Sequence, residues 1–260
     1  MSVPVLETRD LTIRFGGHVA VDAVSCAFRA GTLTAIVGPN GAGKTTYFNL
    51  ISGQLAASAG AVLLDGEDIT RLGAAGRATR GIGRAFQITN LFPNLTVIEN
   101  VRLAVQARAD NSRHLWSRWS RHVEWIARAE RALEEVNLID QRETIAAALP
   151  HGDKRKLEVA IMMALEPHVF MFDEPTAGMS VDEVPVILDL IHKLKAHGDK
   201  TILLVEHKMD VVRSLADRII VLHNGQLVAD GEPAAVIASP IVQEAYLGQA
   251  PGRKPEAAHG

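Results

Sequence analysis

Apolar and polar residues alternate in places along Val5-Leu6-Glu7-Thr8-Arg9-Asp10-Leu11-Thr12-Ile13-Arg14-Phe15, and a strand-like pattern resumes from Val19 to Phe28 after Gly16-Gly17. Two such runs around a glycine turn predict an antiparallel hairpin. Leu33-Thr34-Ala35-Ile36-Val37 is a short apolar run, the pattern of a buried parallel strand. Ala61-Val62-Leu63-Leu64 followed by Asp65-Gly66 gives a second hairpin signal. Gly81 to Gln87 reads as a strand ending on a glutamine. Leu91-Phe92-Pro93-Asn94-Leu95-Thr96 is a turn, and Thr96 is placed to cap a helix over Val97–Gln106, with Glu99 completing a capping box. The pattern stays helical to about Leu165, and Ile126, Ala129, Leu133 and Val136 fall at spacings that share a helix face.

Two later apolar runs read as fully buried strands. Val169-Phe170-Met171-Phe172 ends on Asp173-Glu174, and Thr201-Ile202-Leu203-Leu204-Val205 ends on Glu206-His207. An amphipathic helix over Val184–His197 lies between them, with Gly198 as its stop. Strand, helix, strand is the unit of a parallel sheet. Ile219–Leu222 and Gln226–Ala229 flank Asn224-Gly225, a hairpin turn of the primed type. From about Pro251 the chain is rich in Gly, Pro and Ala and is expected to form a loose tail.

Composition narrows the class without naming a chemistry. The 260 residues suit one large domain, or a core with a subdomain, and 47% apolar residues are ample for a buried core. The net charge of −3 gives no global attraction to nucleic acid. Cys26 is the only cysteine, which excludes an internal disulfide and fits a reducing compartment. No basic-then-apolar segment opens the chain, so no signal peptide is expected. No apolar run reaches the ~18–20 residues that cross a bilayer, so a membrane role must come through partners.

The chemistry centres on Gly38-Pro39-Asn40-Gly41-Ala42-Gly43-Lys44-Thr45-Thr46, which fits G-x-x-x-x-G-K-[ST]. Its three glycines let the backbone wrap closely around an anion. The loop N–H groups form a nest for phosphates, and a helix starting near Gly43 adds the positive end of its dipole. Lys44 is expected to reach the β- and γ-phosphates and the Thr45 hydroxyl to sit on Mg²⁺. A strand before and a helix after give this loop its required context.

Polar residues at the C-terminal ends of buried strands are where open α/β sheets place their ligand sites. Asp173 is suited to hold Mg²⁺, directly or through water. Glu174 would face the γ-phosphate and orient and deprotonate an attacking water. His207, on the neighbouring strand end, would hydrogen-bond the γ-phosphate and help position that water. Gln87 would offer its carbonyl oxygen to Mg²⁺ or sense the water. Alone, each is an ordinary strand end; combined with the phosphate loop they specify nucleotide hydrolysis.

With these residues in place the chain resembles the ATP-binding subunits of ABC transporters over about Val5 to Gly248. Gly38–Thr45 matches the Walker A motif, Val169–Asp173 Walker B, Glu174 the catalytic glutamate, Gln87 the Q-loop and His207 the switch histidine. Phe15 stands where the family stacks an aromatic ring on adenine. Ala177-Gly178-Met179-Ser180 falls on the D-loop. The resemblance implies a P-loop NTPase of the α/β class: a RecA-like parallel sheet core with an N-terminal antiparallel β-subdomain and an inserted α-helical subdomain. The implied division is an ATP-binding core over 1–90 and 166–248, a helical signature subdomain over 91–165 and a flexible tail over 249–260. It also implies ATP and Mg²⁺ as cofactors, a second ATP-binding subunit (the same chain or a paralogue), membrane permease subunits, and indirectly an extracytoplasmic solute-binding protein. The expected location is peripheral, on the cytoplasmic face of the membrane, with no nucleic-acid partner.

Within the family the likeness is to the branched-chain (hydrophobic) amino acid uptake ATPases, a group that also serves urea, amides and aromatic acids. It rests on Leu91–Val101, on a long insertion over about Arg108 to Arg131, and on the ending Gly231-Glu232-Pro233 with Ile241–Gly248. The insertion interleaves Trp116, Trp119 and Trp125 with Arg113, Arg118, Arg121 and Arg128. It reads as an amphipathic helical hairpin with a solvated basic face, or as a contact for permease loops or lipid heads. Two other functions compete: an ATPase for lipid or lipopolysaccharide export, and a soluble ABC-type ATPase acting on nucleic acid. The insertion and C-terminal pattern argue against the first. The second typically carries tandem ATPase units or long coiled-coil insertions, and this chain has neither. A GTPase or small-molecule kinase is disfavoured by the lack of Asn-Lys-x-Asp and by the Asp-Glu pair with His207, which points to water as acceptor.

The signature, ideally Leu-Ser-Gly-Gly-Gln, is Leu149-Pro150-His151-Gly152-Asp153 here. In the family the serine hydroxyl and glycine N–H groups bind the γ-phosphate held by the opposite subunit. Pro150 has neither hydroxyl nor N–H, Asp153 brings a negative charge near an anion site, and Ser180 replaces the D-loop aspartate. These changes imply weaker contacts in a composite site that keeps its hydrolytic residues. Pro150→Ser is therefore expected to preserve or raise ATPase turnover; a large drop would mean that Pro150 itself is required.

Overall fold

The computed structural model of the protein describes residues 5–85, 91–109, 120–179, 181 and 184–247; Gln87, Ser180, the centre of the insertion and the 249–260 tail lie outside them. β1 (Leu6–Phe15) and β2 (His18–Phe28) form the expected hairpin, with Phe15 opposite His18. β3 (Leu33–Val37), buried at every residue, runs into the phosphate loop and α1 (Lys44–Ser52). β4 (Ala59–Leu64) turns through Asp65-Gly66 into β5 (Glu67–Asp68). The longer pairing of β4 is with β1, which gives an antiparallel sheet in the order β2-β1-β4-β5.

After α2 (Ala74–Thr79) comes β6 (Ile82–Ala85), within the expected strand, whose last two residues lie outside the described ones. α3 (Val97–Ala109) opens on the expected capping box and runs past the expected end at Gln106. Thr96 Oγ1 accepts from the Glu99 N–H at 3.3 Å, and Glu99 Oε2 accepts from the Thr96 N–H at 3.1 Å. α4 (Ser120–Glu135) and α5 (His151–Ala164) pack on α3. The buried face of α4 corrects the expected one. Trp125, Ala129, Ala132, Leu133 and Val136 are buried, while Ile126 is 39% exposed. Both stripes have helical spacing, and the one that buries the larger indole wins. Trp125 therefore belongs to the core rather than to an exposed aromatic and basic surface.

β7 (Val169–Asp173), α6 (Val184–Ala196) and β8 (Thr201–Val205) form the expected strand–helix–strand unit, and Gly198 at φ 72° follows the helix. α7 (Met209–Leu215) leads to β9 (Arg218–His223) and β10 (Gln226–Gly231). The turn between these strands has positive φ at both Asn224 and Gly225, as a primed turn requires. α8 (Pro233–Ile237) and α9 (Pro240–Leu247) close the described chain. The second sheet has the order β10-β9-β3-β8-β7-β6, parallel except for the β10–β9 pair.

Alternation along each parallel strand divides the core. Ile36, Val169, Met171, Leu203, Val205 and Ile220 pack with α1 and the antiparallel sheet. Phe170, Phe172, Ile202 and Leu204 face the opposite way, toward a cluster built with α3 to α6. Both faces are covered, which is why these strands read as unbroken apolar runs. α1 is thus held between two sheets, and the loop before it is fixed from both sides.

The far end of α1 is secured by an unexpected residue. Arg77 on α2 is buried, and Nη1 donates to the carbonyls of Leu50 (2.5 Å) and Ile51 (2.7 Å). Its Nε reaches the Leu72 carbonyl and its Nη2 the Thr70 carbonyl, each at 2.9 Å. The last carbonyls of a helix lack partners within it and carry the negative end of its dipole, so a cation there satisfies both needs. Arg77→Leu would strand several carbonyls together, and is expected to lower unfolding free energy by about 3 kcal/mol. Urea unfolding measures this; a loss below about 1 kcal/mol would show that water replaces the guanidinium at little cost.

Candidate active site

The phosphate loop follows β3 at the C-terminal edge of the parallel sheet. Its shape depends on the absence of side chains at two points. A Cβ on Gly38, whose φ is 151°, would meet the Leu222 carbonyl oxygen at 2.1 Å. One on Gly43, at φ 95°, would meet the Ala20 carbonyl oxygen at 2.4 Å. The loop is therefore pressed against β2 on one side and against the end of β9 on the other. Gly43 is also the N-cap of α1, which has no side-chain cap, so the first N–H groups of the helix face the loop.

Lys44 is buried, and its ammonium donates to the carbonyls of Gly38 at 2.7 Å and Pro39 at 2.9 Å. Burial lowers its pKa, opposed by the carboxylates of Glu174 and Asp173. A cleft of about 410 Å³ opens beside it. Asn40, Gly41, Ala42, Gly43, Lys44, Thr45 and Thr46 line it, with His18 and Ala20 from β2, and Glu174 and His207 on the far side. Sheet topology explains the meeting. β7 and β8 are adjacent parallel strands with Asp173 opposite Val205, so the residues just past each end share one edge. Glu174 Oε1 and His207 Nε2 lie 2.7 Å apart. Glu174 has a positive φ of 50°, uncommon for a residue with a side chain.

Asp173 sits deeper than Glu174. Its Oδ2 accepts from Arg84 Nη2 at 2.6 Å, and both side chains are largely buried. Burial raises the Asp173 pKa, and the Arg84 charge opposes the rise. Arg84 Nη1 also donates to Asn49 Oδ1 (2.6 Å) and Ser52 Oγ (2.8 Å) of α1, and the guanidinium lies 5.0 Å from the centre of the Phe48 ring. One residue on β6 thus ties the helix of the phosphate loop to the acidic end of β7. The sequence signal was a charged residue, Arg84, inside a short strand run next to the acidic strand. Motif reading also passes over His18, which lines the cleft, and over the buried pair Glu206 and Thr176, which stand next to His207 and two residues from Glu174 in the chain.

The donor set suits a hard cation. Thr45 lines the cleft, and the Asp173 carboxylate, already paired with Arg84, lies close enough to Lys44 to act on its charge. Among the described residues no group of three or more His, Cys, Asp or Glu forms a metal cluster.

Other expected site residues lie elsewhere. Phe15, at the tip of the β1–β2 hairpin, is 50% exposed and does not line the cleft, although its hairpin partner His18 does. Pro150 is the N-cap of α5, with no side-chain cap bond, and His151, Gly152 and Asp153 form its first turn. None of the four lines this cleft. Asp153 accepts from Lys156 Nζ at 2.7 Å and Gln141 Nε2 at 2.9 Å. Burial pushes its carboxyl up, but these bonds and the Lys156 charge outweigh it and hold the pKa below the usual value. Ala177 and Gly178 are exposed after β7, and Met179 packs partly into the core.

Residues 21–177 match the family model for the ABC transporter. The chain belongs to the ABC transporter family. It is 39% identical over 258 residues to the high-affinity branched-chain amino acid transport ATP-binding protein BraF of Pseudomonas aeruginosa, covering 96% of this chain and 100% of that protein. Its fold is similar to the ADP conformation of MJ1267, an ATP-binding cassette of an ABC transporter, with a TM-score of 0.82, 30% identity and coverage of 95% and 100%. It is also similar to the dimeric post-hydrolysis state of the ATP-binding cassette MJ0796 bound to ADP and Pi, with a TM-score of 0.74, 25% identity and coverage of 88% and 98%. The chain is thus an ABC cassette, of a family that binds and hydrolyses ATP.

Removing Arg84 from this cassette would leave the Asp173 carboxylate buried and unpaired. Arg84→Met is expected to cost about 3 kcal/mol of stability at neutral pH. Without its partner Asp173 keeps a folded-state pKa further above the unfolded value, so the penalty is full above that pKa and shrinks as pH falls through it. Unfolding from about pH 8 to about pH 5 measures this, and a penalty constant across that range would mean that Asp173 is not left charged and unpaired.

Proposed function

We propose that the chain is the ATP-hydrolysing subunit of an importer that takes up branched-chain or other hydrophobic amino acids, or a related small solute such as urea, an amide or an aromatic acid. The single observation that carries the hydrolytic part is the Glu174–His207 contact at 2.7 Å, facing the phosphate loop across one cleft. Lys44 would exchange its two loop carbonyls for the β- and γ-phosphates, and the loop N–H groups and the start of α1 would hold the remaining charge. Phe15 would stack on adenine. Glu174 would accept a proton from the attacking water, and His207 would hold Glu174 and the γ-phosphate in register. Bound Mg²⁺, held by Thr45 and Asp173 with Gln87 nearby, would neutralise charge on the phosphates.

A second protomer completes the site in this reading. Pro150 to Asp153 and Ala177 to Ser180 would face the nucleotide of the opposite subunit, with two cassettes closing head to tail. The Lys156 and Gln141 contacts of Asp153 support it, because they draw that charge into an ion pair and leave the α5 N-terminus positive. The likeness to a dimeric cassette bound to ADP and Pi supports pairing of two such subunits. Import is favoured by the likeness to BraF across nearly the whole of both chains. Among the described residues no helix is long and apolar enough to cross a membrane, so permease subunits would supply the path and this chain would dock on their cytoplasmic side. An extracytoplasmic binding protein would deliver the solute. In this division residues 1–90 and 166–248 bind ATP and residues 91–165 carry the signature.

Glu174→Gln tests the hydrolytic role. The variant is expected to bind ATP as tightly as the parent, to turn over about a hundredfold slower or less, and to accumulate as an ATP-dependent dimer in light scattering. Turnover near the parent rate would remove Glu174 from the mechanism.

A further inference from the structure

Glu206 is 3% exposed, yet it ends an apolar strand and makes no ion pair among the described residues. A buried carboxylate without a cation is costly unless hydrogen bonds replace its water. Here they do. Oε1 accepts the hydroxyl hydrogen of buried Thr176, and Oε2 accepts the His207 N–H at 2.7 Å and the Lys208 N–H at 3.4 Å.

These contacts join two loops. Thr176 belongs to a turn whose first residue is Glu174, closed by the Ala177 N–H on the Glu174 carbonyl at 3.0 Å. The same turn is tied to β8 by the Glu174 N–H on the Val205 carbonyl at 2.9 Å. One oxygen of Glu206 therefore holds the loop that carries Glu174, and the other holds the backbone of His207. The side chains of Glu174 and His207 are each 39% exposed, so little packing fixes them from the cleft side. Their separation is set from beneath, by the backbones on which they stand.

We infer that Glu206 is a positioning residue for ATP hydrolysis, clamping the Thr176 hydroxyl and the His207 N–H so that Glu174 and His207 meet in the cleft. It touches neither nucleotide nor water itself. The inference rests on the hydrolytic reading above, and the parent's turnover is measured first, so that failure of that reading is seen separately. The full chain is then compared with Glu206→Ala, Glu206→Gln, Thr176→Val and Thr176→Ser for kcat, ATP affinity and thermal stability. Thr176→Val keeps the buried shape and removes only the hydroxyl, so it covers the case in which Glu206→Ala fails to fold. The inference expects kcat in Glu206→Ala and Thr176→Val to fall about tenfold or more, since a displacement of about 1 Å is enough. ATP affinity should stay within about twofold, because the phosphate loop is untouched. Thr176→Ser keeps the donor, and Glu206→Gln accepts the N–H and donates to Oγ1; both should recover to within about threefold of the parent. In a Glu174→Gln background, Glu206→Ala should cause no further loss, because Glu206 acts through Glu174. The inference is overturned if Thr176→Val keeps kcat within about twofold of the parent, if ATP affinity falls in step with kcat, or if the loss repeats in full in the Glu174→Gln background.

Discussion

The close approach of the phosphate loop to its two supports is the constraint on which the rest depends. Gly38 lies under the Leu222 carbonyl and Gly43 under that of Ala20, each too near for any side chain. The loop is an imprint of two strands, one from each sheet. That explains why the antiparallel sheet matters to the site: β2 supplies one wall of the loop and, through His18 and Ala20, part of the cleft. The hairpin of β9 and β10 locks the other wall, with the Gly225 N–H on the Ala42 carbonyl at 3.0 Å. A loop fixed in this way presents its N–H groups without reorganising, which is what makes preorganised dipoles effective toward a charged ligand.

The acidic side of the cleft is built on a different principle. β6, β7 and β8 end at one edge, and cross-links between neighbouring ends align their polar residues. Arg84 ties Asp173 to α1, so the loop helix and the acidic strand cannot shift independently. Glu206 ties the two loops that bear Glu174 and His207. Each cross-link buries a charged group that makes three hydrogen bonds. A merely stable core has little use for such an arrangement, since apolar residues of similar volume often serve stability as well. Geometry is what a charge-assisted, multi-centre contact supplies better.

The parts of this molecule that were legible in the sequence are those governed by local rules. The buried strands, the Thr96–Glu99 box, the Asn224-Gly225 turn, the Gly198 stop and the phosphate loop each follow from short-range sterics and hydrogen bonding, and each is found at its expected place. Meeting of Lys44, Glu174 and His207 followed from parallel strands ending together. Ile126 failed as a core residue because two helical stripes overlap on α4 and spacing alone does not weigh an indole against a sec-butyl group. Arg77 and Arg84 were illegible for another reason. A cation in an otherwise ordinary segment reads as exposed, and only the fold brings helix-end carbonyls or a buried carboxylate to it.

In the proposed composite site, the start of α5 would have to act without the ideal signature residues. Pro150 cannot cap α5 with a hydroxyl, and Asp153 brings an anion into its first turn. Either change alone would weaken an anion site at the helix start. Lys156, one turn on, and Gln141, from the preceding turn, both bind the Asp153 carboxylate. Held there, its charge is offset by that of Lys156, so it takes little from the positive end of the helix dipole. The N–H groups of the first turn keep their direction, because the backbone and not the side chains sets it. An anion approaching α5 from a facing protomer would therefore still meet the positive end of a 14-residue helix, which is the part of the signature that geometry rather than residue identity provides.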